Sequence, residues 1–262
     1  MKTPLIYYGG KSHLASKIVS LIPPHKTYVE PFAGGAAVFF AKQKSKHEII
    51  NDTNFEIINF YEVLKKNFPA LKNEIKSTLH SRELHRRAHI IYENPAMFDK
   101  IKRAWAVWMI ANTSFNNSFI SGFSKDKNGK ATRSALSKID DFSAEIAGRI
   151  KKAQIECRDA LKIICENDSK NTFFYVDPPY VGACQGHYDG YTQEDFDALI
   201  TTLSKIKGCF LLSSYRNKSL TKAVKASRWH QIELKINNCP SRSTTRTKIE
   251  VLTANYPITL AG

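Results

Sequence analysis

The sequence lacks the patterns that mark several large classes of protein. Its five cysteines are widely spaced, and no two of them form a Cys-x-x-Cys pair. This usage argues against a disulfide framework and a cysteine zinc site, and it fits a reducing compartment. The longest apolar runs are only as long as strands, and the Met1–Pro4 start has no apolar signal core. We therefore expect no membrane or secretory segment and a cytoplasmic location.

Acidic residues are scarce relative to basic ones. The 262 residues include 24 Asp and Glu against 39 Lys and Arg, which gives a net charge of +15. Such a surplus suits a polyanionic partner, most simply nucleic acid, although a merely basic soluble protein would show it as well. Hydrophobic residues make up 42% of the chain, an ordinary share for a soluble globular protein with a substantial core.

Short apolar runs alternate with helical patterns and predict an α/β fold with a mostly parallel sheet. The alternation stops between about residues 55 and 149, where the pattern is mainly helical and a polar stretch contains the hairpin-turn signal Asn128-Gly129. We predict a catalytic core of residues 1–55 and 150–262, and an inserted helical domain of residues 56–149 with a basic hairpin. The expected strands are 27–30, 48–52, 154–157, 173–176, 209–213, 231–234 and 249–253.

The most informative segment is Asp177-Pro178-Pro179-Tyr180, which directly follows a strand-like apolar run. Proline has no amide hydrogen, so the strand must end there and leave a stiff corner. In open α/β sheets, ligands bind at the edge formed by the carboxyl ends of the strands. The Asp177 carboxylate and the Pro178 carbonyl could accept the two hydrogens of an exocyclic amino group, while the Tyr180 ring stacks on the base. A plain turn is the alternative.

Other strand ends carry weaker signals. The turn Pro31–Ala36 includes Gly34 and Gly35, and such a pair lets a ligand approach the backbone or merely lets a helix pack closely. The turn lacks the Gly-x-Gly-x-x-Gly pattern and a Gly-Lys-Ser/Thr ending, which disfavours pyrophosphate or ATP phosphate binding. Asp52 could accept ribose hydroxyls or simply end a strand. Asp159 could read an adenine amino group or cap a helix.

Taken in order, these motifs resemble those of the Dam-like (D12 class) N6-adenine-specific DNA methyltransferase family, and the resemblance covers nearly the whole chain. It implies a Rossmann-like seven-stranded methyltransferase sheet with an inserted target-recognition domain. One departure is the glycine turn, which ends Gly-Gly-Ala. Another is the region 112–134, where the family's recognition loop is not evident. The matching segments are Gly9-Gly10-Lys11, Phe32-Ala33-Gly34-Gly35, Asn51-Asp52, Asp159 and Asp177-Pro178-Pro179-Tyr180.

The resemblance implies S-adenosylmethionine as cofactor and the N6 amino group of a flipped adenine in double-stranded DNA as methyl acceptor. Asp177, Pro178 and Tyr180 would be catalytic, and Lys11 would pair with the methionine carboxylate. No metal is needed, and His80, His85 and His89 are interpreted as a polar helix face. The expected cofactor-binding residues are Tyr8, Gly10, Lys11, Phe32, Gly34, Gly35, Asp52, Asp159 and Asp177.

Two basic surfaces are candidates for DNA contact. Between residues 215 and 248, nine basic residues stand against one acid, and Arg242 and Arg246 would suit phosphates. In the insertion, the candidates are Lys125, Lys127, Lys130 and Arg133, although either run could be a solvated face. We expect a monomer, and a companion restriction endonuclease is compatible with the family. The alternatives are an RNA or protein-amide methyltransferase and a catalytically silent DNA-binding module.

Overall fold

The computed structural model of the chain describes residues 1–6, 9–125, 127–182, 190–236 and 248–259. For residues 116, 235, 236 and 248 it describes the backbone alone. None of the helices in these ranges combines the length and the hydropathy that a membrane span requires.

A seven-stranded sheet forms the centre of the molecule and confirms the predicted α/β class. Its strand order is β3-β2-β1-β4-β5-β7-β6. The first five strands in this order are parallel, whereas β7 is antiparallel to both of its neighbours. Each predicted strand coincides with an observed one to within two residues at either end. The strands are β1 (Thr27–Glu30), β2 (His47–Asn51), β3 (Gln154–Glu156), β4 (Thr172–Val176), β5 (Cys209–Ser214), β6 (His230–Ile236) and β7 (Lys248–Ala254).

The strand β4 is buried along its whole length because helices cover both faces of the sheet. Its side chains alternate between two hydrophobic cores, with Phe173 and Tyr175 on one face and Phe174 and Val176 on the other. The described α-helices are α1 (Ala15–Ser20), α2 (Ala37–Ala41), α3 (Phe55–Lys66), α4 (Phe68–Lys76), α5 (Arg82–Glu93), α6 (Lys100–Thr113), α7 (Lys130–Asp140), α8 (Ala144–Ile150), α9 (Ala160–Glu166), α10 (Gln193–Leu203) and α11 (Lys218–Ser227).

The predicted helical insertion corresponds to α3 to α8, which lie between β2 and β3 in the chain. The last ten residues of α6 are buried, and this helix belongs to the same hydrophobic core as Phe173 and Tyr175. The end of the insertion is held to the sheet by a buried ion pair in which Arg149 Nη1 lies 2.5 Å from Glu48 Oε2. Arg149 Nη2 also donates to the Phe39 carbonyl oxygen at 2.6 Å. The insertion therefore packs on the sheet through both apolar and charged contacts.

The predicted basic hairpin at Asn128-Gly129 is wrong. Gly129 has a φ of +67° and occupies the N-cap position of α7, so Lys130 begins a helix instead of a strand. This helix buries Ala135 and Ile139, which lie four residues apart on one of its faces. In the described part of residues 112–134, strand-like pairing is limited to an isolated bridge between Ser114 and Phe123.

Two of the three histidines also depart from the expected polar face. His80 precedes α5, and His85 is buried with its Nε2 atom 2.9 Å from Ser114 Oγ. Burial, followed by the neighbouring His89, lowers the pKa of His85 to about 4, so its imidazole is neutral near neutral pH. His85 thus belongs to the packing between α5 and the segment after α6.

Candidate active site

The strands β1 and β4 lie side by side at the point where the strand order reverses, and the segments after them form the candidate site. Ligands of open α/β sheets bind in the crevice at such a reversal, beyond the carboxyl ends of the strands. Asp177 follows β4, and the turn Pro31–Ala36 follows β1. The sheet therefore brings the two most informative sequence motifs, which are about 140 residues apart in the chain, to one edge.

The Asp177 carboxylate is fixed by the Lys11 ammonium group. Lys11 Nζ donates to Asp177 Oδ1 at 2.8 Å, to Asp177 Oδ2 at 2.9 Å and to the Gly9 carbonyl oxygen at 2.9 Å. Glu250, from β7, lies 3.6 Å from the same ammonium group. The Lys11 side chain is buried, whereas Asp177 keeps 18% of its side chain exposed and can still reach a ligand.

Tyr180, at the end of the Asp-Pro-Pro-Tyr segment, contacts both carboxyl groups of this cluster. Its hydroxyl group lies 3.1 Å from Asp177 Oδ1 and is also hydrogen-bonded to Glu250 Oε1. Lys11 Nζ is 4.9 Å from the centre of its ring, and the Tyr215 ring packs at 72° to it with a centroid distance of 4.5 Å. The aromatic ring predicted to stack on a base is thus fixed by hydrogen bonds at its hydroxyl group and by contacts of Lys11 and Tyr215 with the ring.

The cluster combines one ammonium group with two carboxyl groups in a largely buried site. Burial lowers the pKa of Lys11, but Asp177 and Glu250 outweigh this effect and keep the pKa above its ordinary value. Burial raises the pKa of Glu250, and the nearby Lys11 opposes that rise without cancelling it. Burial, followed by Asp177, raises the pKa of Tyr180 well above its ordinary value. Lys11 is therefore charged, Tyr180 is neutral, and Glu250 binds a proton more readily than an exposed glutamate.

The glycine turn is shaped by contacts from two other elements. Gly34 has a φ of +45°, and Ala36, the last residue before α2, has a φ of +48°. The Gly34 amide donates to Asp52 Oδ2 at 2.8 Å, while the Tyr61 hydroxyl from α3 donates to the Gly34 carbonyl oxygen at 2.7 Å. The turn thereby faces the predicted ribose-binding carboxylate, and the half-buried Phe32 ring packs edge-on against Tyr191 at 6.3 Å.

Asp52 and Asp159 have structural contacts of their own. Asp52 is 2% exposed, and its second oxygen accepts the Asn54 amide at 2.9 Å. Asp159 accepts the Lys162 amide at 2.9 Å and is the N-cap of α9, so its capping alternative is present. Asn51 fastens the ends of three strands together because its amide group bonds the carbonyl oxygens of Pro31 and Arg158. Asp52 and Asp159 thus face the same edge as the glycine turn.

A cleft beside Tyr180 contains residues that sequence reasoning did not select. Ser214 ends β5 and is 3% exposed, and its hydroxyl has no hydrogen-bond partner in the described part of the chain. An unpaired buried hydroxyl is costly unless a ligand satisfies it. Glu250 was likewise missed as a site residue. The lining residues are Tyr180, Val181, Phe196, Ser214, Tyr215, Arg216 and Asn217.

The end of α6 lies close to the glycine turn. Asn112, near the end of α6, donates to the Pro4 carbonyl oxygen at 3.1 Å, and the neighbouring Thr3 hydroxyl bonds the Gly35 carbonyl oxygen of the glycine turn. The segment after α6 therefore starts near the candidate site. Lys125, Lys127, Lys130 and Arg133 are exposed along it.

Several predicted residues lie outside the described residues. Tyr8, Arg242 and Arg246 fall in the undescribed ranges. Gly10 is described and immediately precedes the buried Lys11. No group of three or more His, Cys, Asp or Glu side chains arranged to hold a metal ion is found in the ranges that the structure covers.

The sequence of this chain is similar to those of known proteins. A family model described as D12 class N6 adenine-specific DNA methyltransferase matches residues 7–238. The chain is 28% identical to the type II methyltransferase M1.LlaDCHI of Lactococcus lactis subsp. cremoris, over 95% of this chain and 93% of that protein. It is 27% identical to the type II methyltransferase M.MjaIII of Methanocaldococcus jannaschii, over 75% of each chain. Its identity to the DNA N-6-adenine-methyltransferase of Escherichia phage P1 is 25%, over 66% of this chain and 23% of that protein.

Proposed function

The chain belongs to the D12 class N6 adenine-specific DNA methyltransferase family, and we propose that it uses S-adenosylmethionine at the edge formed by β1, β2 and β4. Methyl transfer to the N6 amino group of adenine in DNA requires a methyl donor. The residues present suit this cofactor, because Lys11 supplies an ammonium group for a carboxylate and Asp52 supplies buried acceptors for hydroxyl groups. When bound, the cofactor supplies an electrophilic methyl group on a sulfonium sulfur.

The cofactor-binding roles are distributed along the strand ends. Lys11, preceded by Gly10 and Tyr8, would bind the methionine carboxylate. Phe32, Gly34 and Gly35 would line the methionyl and ribose portions, where the Gly34 amide already points to Asp52 Oδ2. Asp52 would accept ribose hydroxyls beyond the two backbone amides it binds, since each carboxylate oxygen has more than one lone pair. Asp159 would accept from the adenine amino group, a role that its cap to Lys162 leaves open.

The target adenine would be flipped out of the duplex, because its amino group cannot be reached inside the stack. Unstacking costs a few kcal/mol, and stacking on Tyr180 offsets about 1–3 kcal/mol of this cost. Asp177 and the Pro178 carbonyl would accept the two amino hydrogens. No donor in the described part of the chain bonds the Pro178 carbonyl oxygen, so that acceptor is available to a ligand.

Asp177 carries this proposal. The amino nitrogen of adenine is a weak nucleophile because its lone pair is delocalised into the ring. A carboxylate held at a fixed position favours a more tetrahedral nitrogen and stabilises the positive charge that develops on it. Lys11 and Tyr180 provide that fixed position through the contacts described above. Positioning of the two reactants contributes the remainder of the acceleration.

The proposal extends to the domain organisation, the residues that bind DNA and the cellular location. Residues 56–149 would form the target-recognition domain between core segments 1–55 and 150–262. Double-stranded DNA would be held by Lys125, Lys127, Lys130 and Arg133 on one surface and by Arg242 and Arg246 on another. The protein would act in the cytoplasm as a monomer. A companion restriction endonuclease would suit it, because two relatives are named type II methyltransferases.

The test is transfer of labelled methyl groups from S-adenosylmethionine to unmethylated DNA by the purified chain and by Asp177→Ala. We expect N6-methyladenine in the wild-type product and a loss of at least about 100-fold in single-turnover rate for the variant, the scale seen when one stabilising group is removed. The affinity for DNA should change little. The matched control is Asp140→Ala, an exposed aspartate at the end of α7, which should methylate normally. Transfer to RNA or protein alone, or binding without transfer, would contradict the proposal.

A further inference from the structure

The Tyr180 hydroxyl group has one hydrogen but lies within hydrogen-bonding distance of two carboxyl groups. Asp177 Oδ1 is 3.1 Å away, and Glu250 Oε1 is in closer contact. A neutral hydroxyl can donate only once, so the second contact is a hydrogen bond only when one of the carboxyl groups carries a proton. The three groups therefore form a chain along which a proton can pass from one carboxyl group to the other.

We propose that Glu250 is the terminal acceptor of the proton released during methyl transfer, and that Tyr180 relays this proton from Asp177. The inference rests on the proposed roles of Asp177 and Tyr180 at the target adenine. It adds a function for a residue that does not touch the base and acts through another side chain.

The reaction requires such an acceptor. A carbon–nitrogen bond forms between the methyl group and N6 while the carbon–sulfur bond breaks, and its electron pair stays on sulfur. The methylated nitrogen then carries a positive charge and two hydrogens, one of which must leave to give the neutral product. Asp177 takes that proton as the carboxylate bonded to N6. It donates to the Tyr180 oxygen as Tyr180 donates its own hydrogen to Glu250, which leaves Asp177 ionised and Glu250 neutral. Every proton is accounted for within these groups.

The surroundings of the two carboxyl groups give the relay its direction. Both oxygens of Asp177 accept hydrogen bonds from the Lys11 ammonium group, at 2.8 and 2.9 Å. Glu250 is 2% exposed and lies farther from the same ammonium group, at 3.6 Å. Burial raises the pKa of Glu250, so a proton is more stable there than on an exposed glutamate. The titratable groups that face Glu250 are Lys11, Asp177, Tyr180 and Tyr175.

The relay can be reset after each turnover. Asp177 has an 18% exposed side chain, whereas the Glu250 side chain is 3% exposed. Once the product has left, the proton returns through Tyr180 to Asp177 and from there to water. Glu250 thus holds the proton away from the methylated base only while the site is occupied.

The experiment measures the pH dependence of single-turnover methyl transfer with saturating cofactor and DNA. Only ionised Glu250 can accept, so the wild-type rate should fall as the pH decreases through the raised pKa of this group. The rate of Glu250→Gln at the optimal pH should be lower by about 10-fold or more, within the range known for general acid–base groups. Its rate should also no longer fall at low pH, that is, the variant should lose the acid limb of the pH profile. Tyr180→Phe keeps the ring and should lose the same limb. Because both act on one chain, the double variant should be no more than about twofold slower than the slower single variant.

Controls separate a relay from a structural role. Glu56→Gln changes another buried glutamate, paired with Arg103 in the insertion, and should keep the wild-type pH profile. Circular dichroism and cofactor affinity report whether Glu250→Gln is folded; if it is not, Tyr180→Phe alone decides. A slower variant with an unchanged acid limb, or independent multiplying effects in the double variant, would overturn the relay. Failure of the wild-type chain to form N6-methyladenine would instead refute the proposed function.

Discussion

Lys11 stands between two carboxyl groups of the chain and, in the proposed complex, a third one from the cofactor. Its ammonium group now binds Asp177 and the Gly9 carbonyl oxygen, which uses its three hydrogens. A cofactor carboxylate would have to replace part of this set. Sharing Lys11 in this way would leave one Asp177 oxygen free for the target amino group. Cofactor binding and readiness of the catalytic carboxylate would thus be coupled through one side chain.

Ser214 and Ser213 are adjacent residues with opposite roles, because successive side chains in a strand point to opposite faces. The Ser213 hydroxyl is 3.0 Å from the Tyr175 hydroxyl within the core, whereas Ser214 faces the cleft beside Tyr180. We expect Ser214→Ala to leave the free energy of unfolding unchanged or to raise it by about 1 kcal/mol, since an unpaired buried hydroxyl is removed. If this hydroxyl bonds the flipped base, kcat/KM for DNA should fall about 10-fold, the equivalent of one hydrogen bond.

The matched variant Ser213→Ala should show the opposite pattern. It removes a satisfied hydroxyl from the core, so the free energy of unfolding should fall by about 1 kcal/mol while kcat/KM stays near the wild-type value. Urea unfolding and initial rates of methylation check both variants. Equal effects of the two substitutions on kcat/KM would exclude a direct contact between Ser214 and the base.

At the scale of elements, the local pattern predicted the strands, but it carried no information on their order in the sheet. The residues Phe173 to Val176 are apolar because both sheet faces are covered, and that property is visible in the sequence. The position of β7 between β5 and β6 is not visible, because it depends on long-range pairing such as Ser214 with Val251. This pairing is what brings Glu250 to Tyr180. Asp177 could therefore be identified from its local motif, whereas Glu250 and Ser214 required the fold.

In the insertion, too, contacts between distant residues could not be predicted from the local sequence. Its helical character follows from the spacing of its apolar residues, but Asn128-Gly129 was misread because an Asn-Gly turn can lead into a helix as well as a strand. A helix follows Gly129 because Ala135 and Ile139, four residues apart, face the core on one side of it. The buried partner of Glu48 could not be foreseen either, since Arg149 is about 100 residues away in the chain.

Arg149 is the residue on which the attachment of α8 to the sheet most depends. Arg149→Ala should lower the free energy of unfolding by about 3 kcal/mol, because it leaves Glu48 buried with Lys42 as its remaining cation. It also removes the contact of the guanidinium group, 3.8 Å from the Phe39 ring centre. Equilibrium urea unfolding measures the change. Arg86→Ala, in an exposed pair with Glu83, is the control and should leave the midpoint nearly unchanged. Similar losses in both variants would show that the buried network adds no stability.

At the scale of the whole molecule, the excess of positive charge is spread over more than one part of the surface. Two sets of exposed basic residues can be compared: Lys26, Lys46 and Lys170 precede β1, β2 and β4, whereas Lys127, Lys130 and Arg133 belong to the segment that starts near the candidate site. A net charge of +15 attracts DNA to the entire surface. If Asp177 and Tyr180 act on the target base, productive binding requires contacts on their side of the sheet. The two sets should therefore differ in how strongly they affect DNA binding.

The salt dependence of DNA affinity distinguishes the two sets. Changing Lys127, Lys130 and Arg133 together to Gln should weaken binding and reduce the slope of log Kd against log salt by about 0.9 for each DNA phosphate that is no longer neutralised. The equally large change of Lys26, Lys46 and Lys170 to Gln removes the same charge from the other set and should leave the slope close to that of the wild type. Fluorescence anisotropy between low and moderate salt provides both slopes. Equal reductions in the two triple variants would mean that net charge, and not the inserted segment, governs DNA binding.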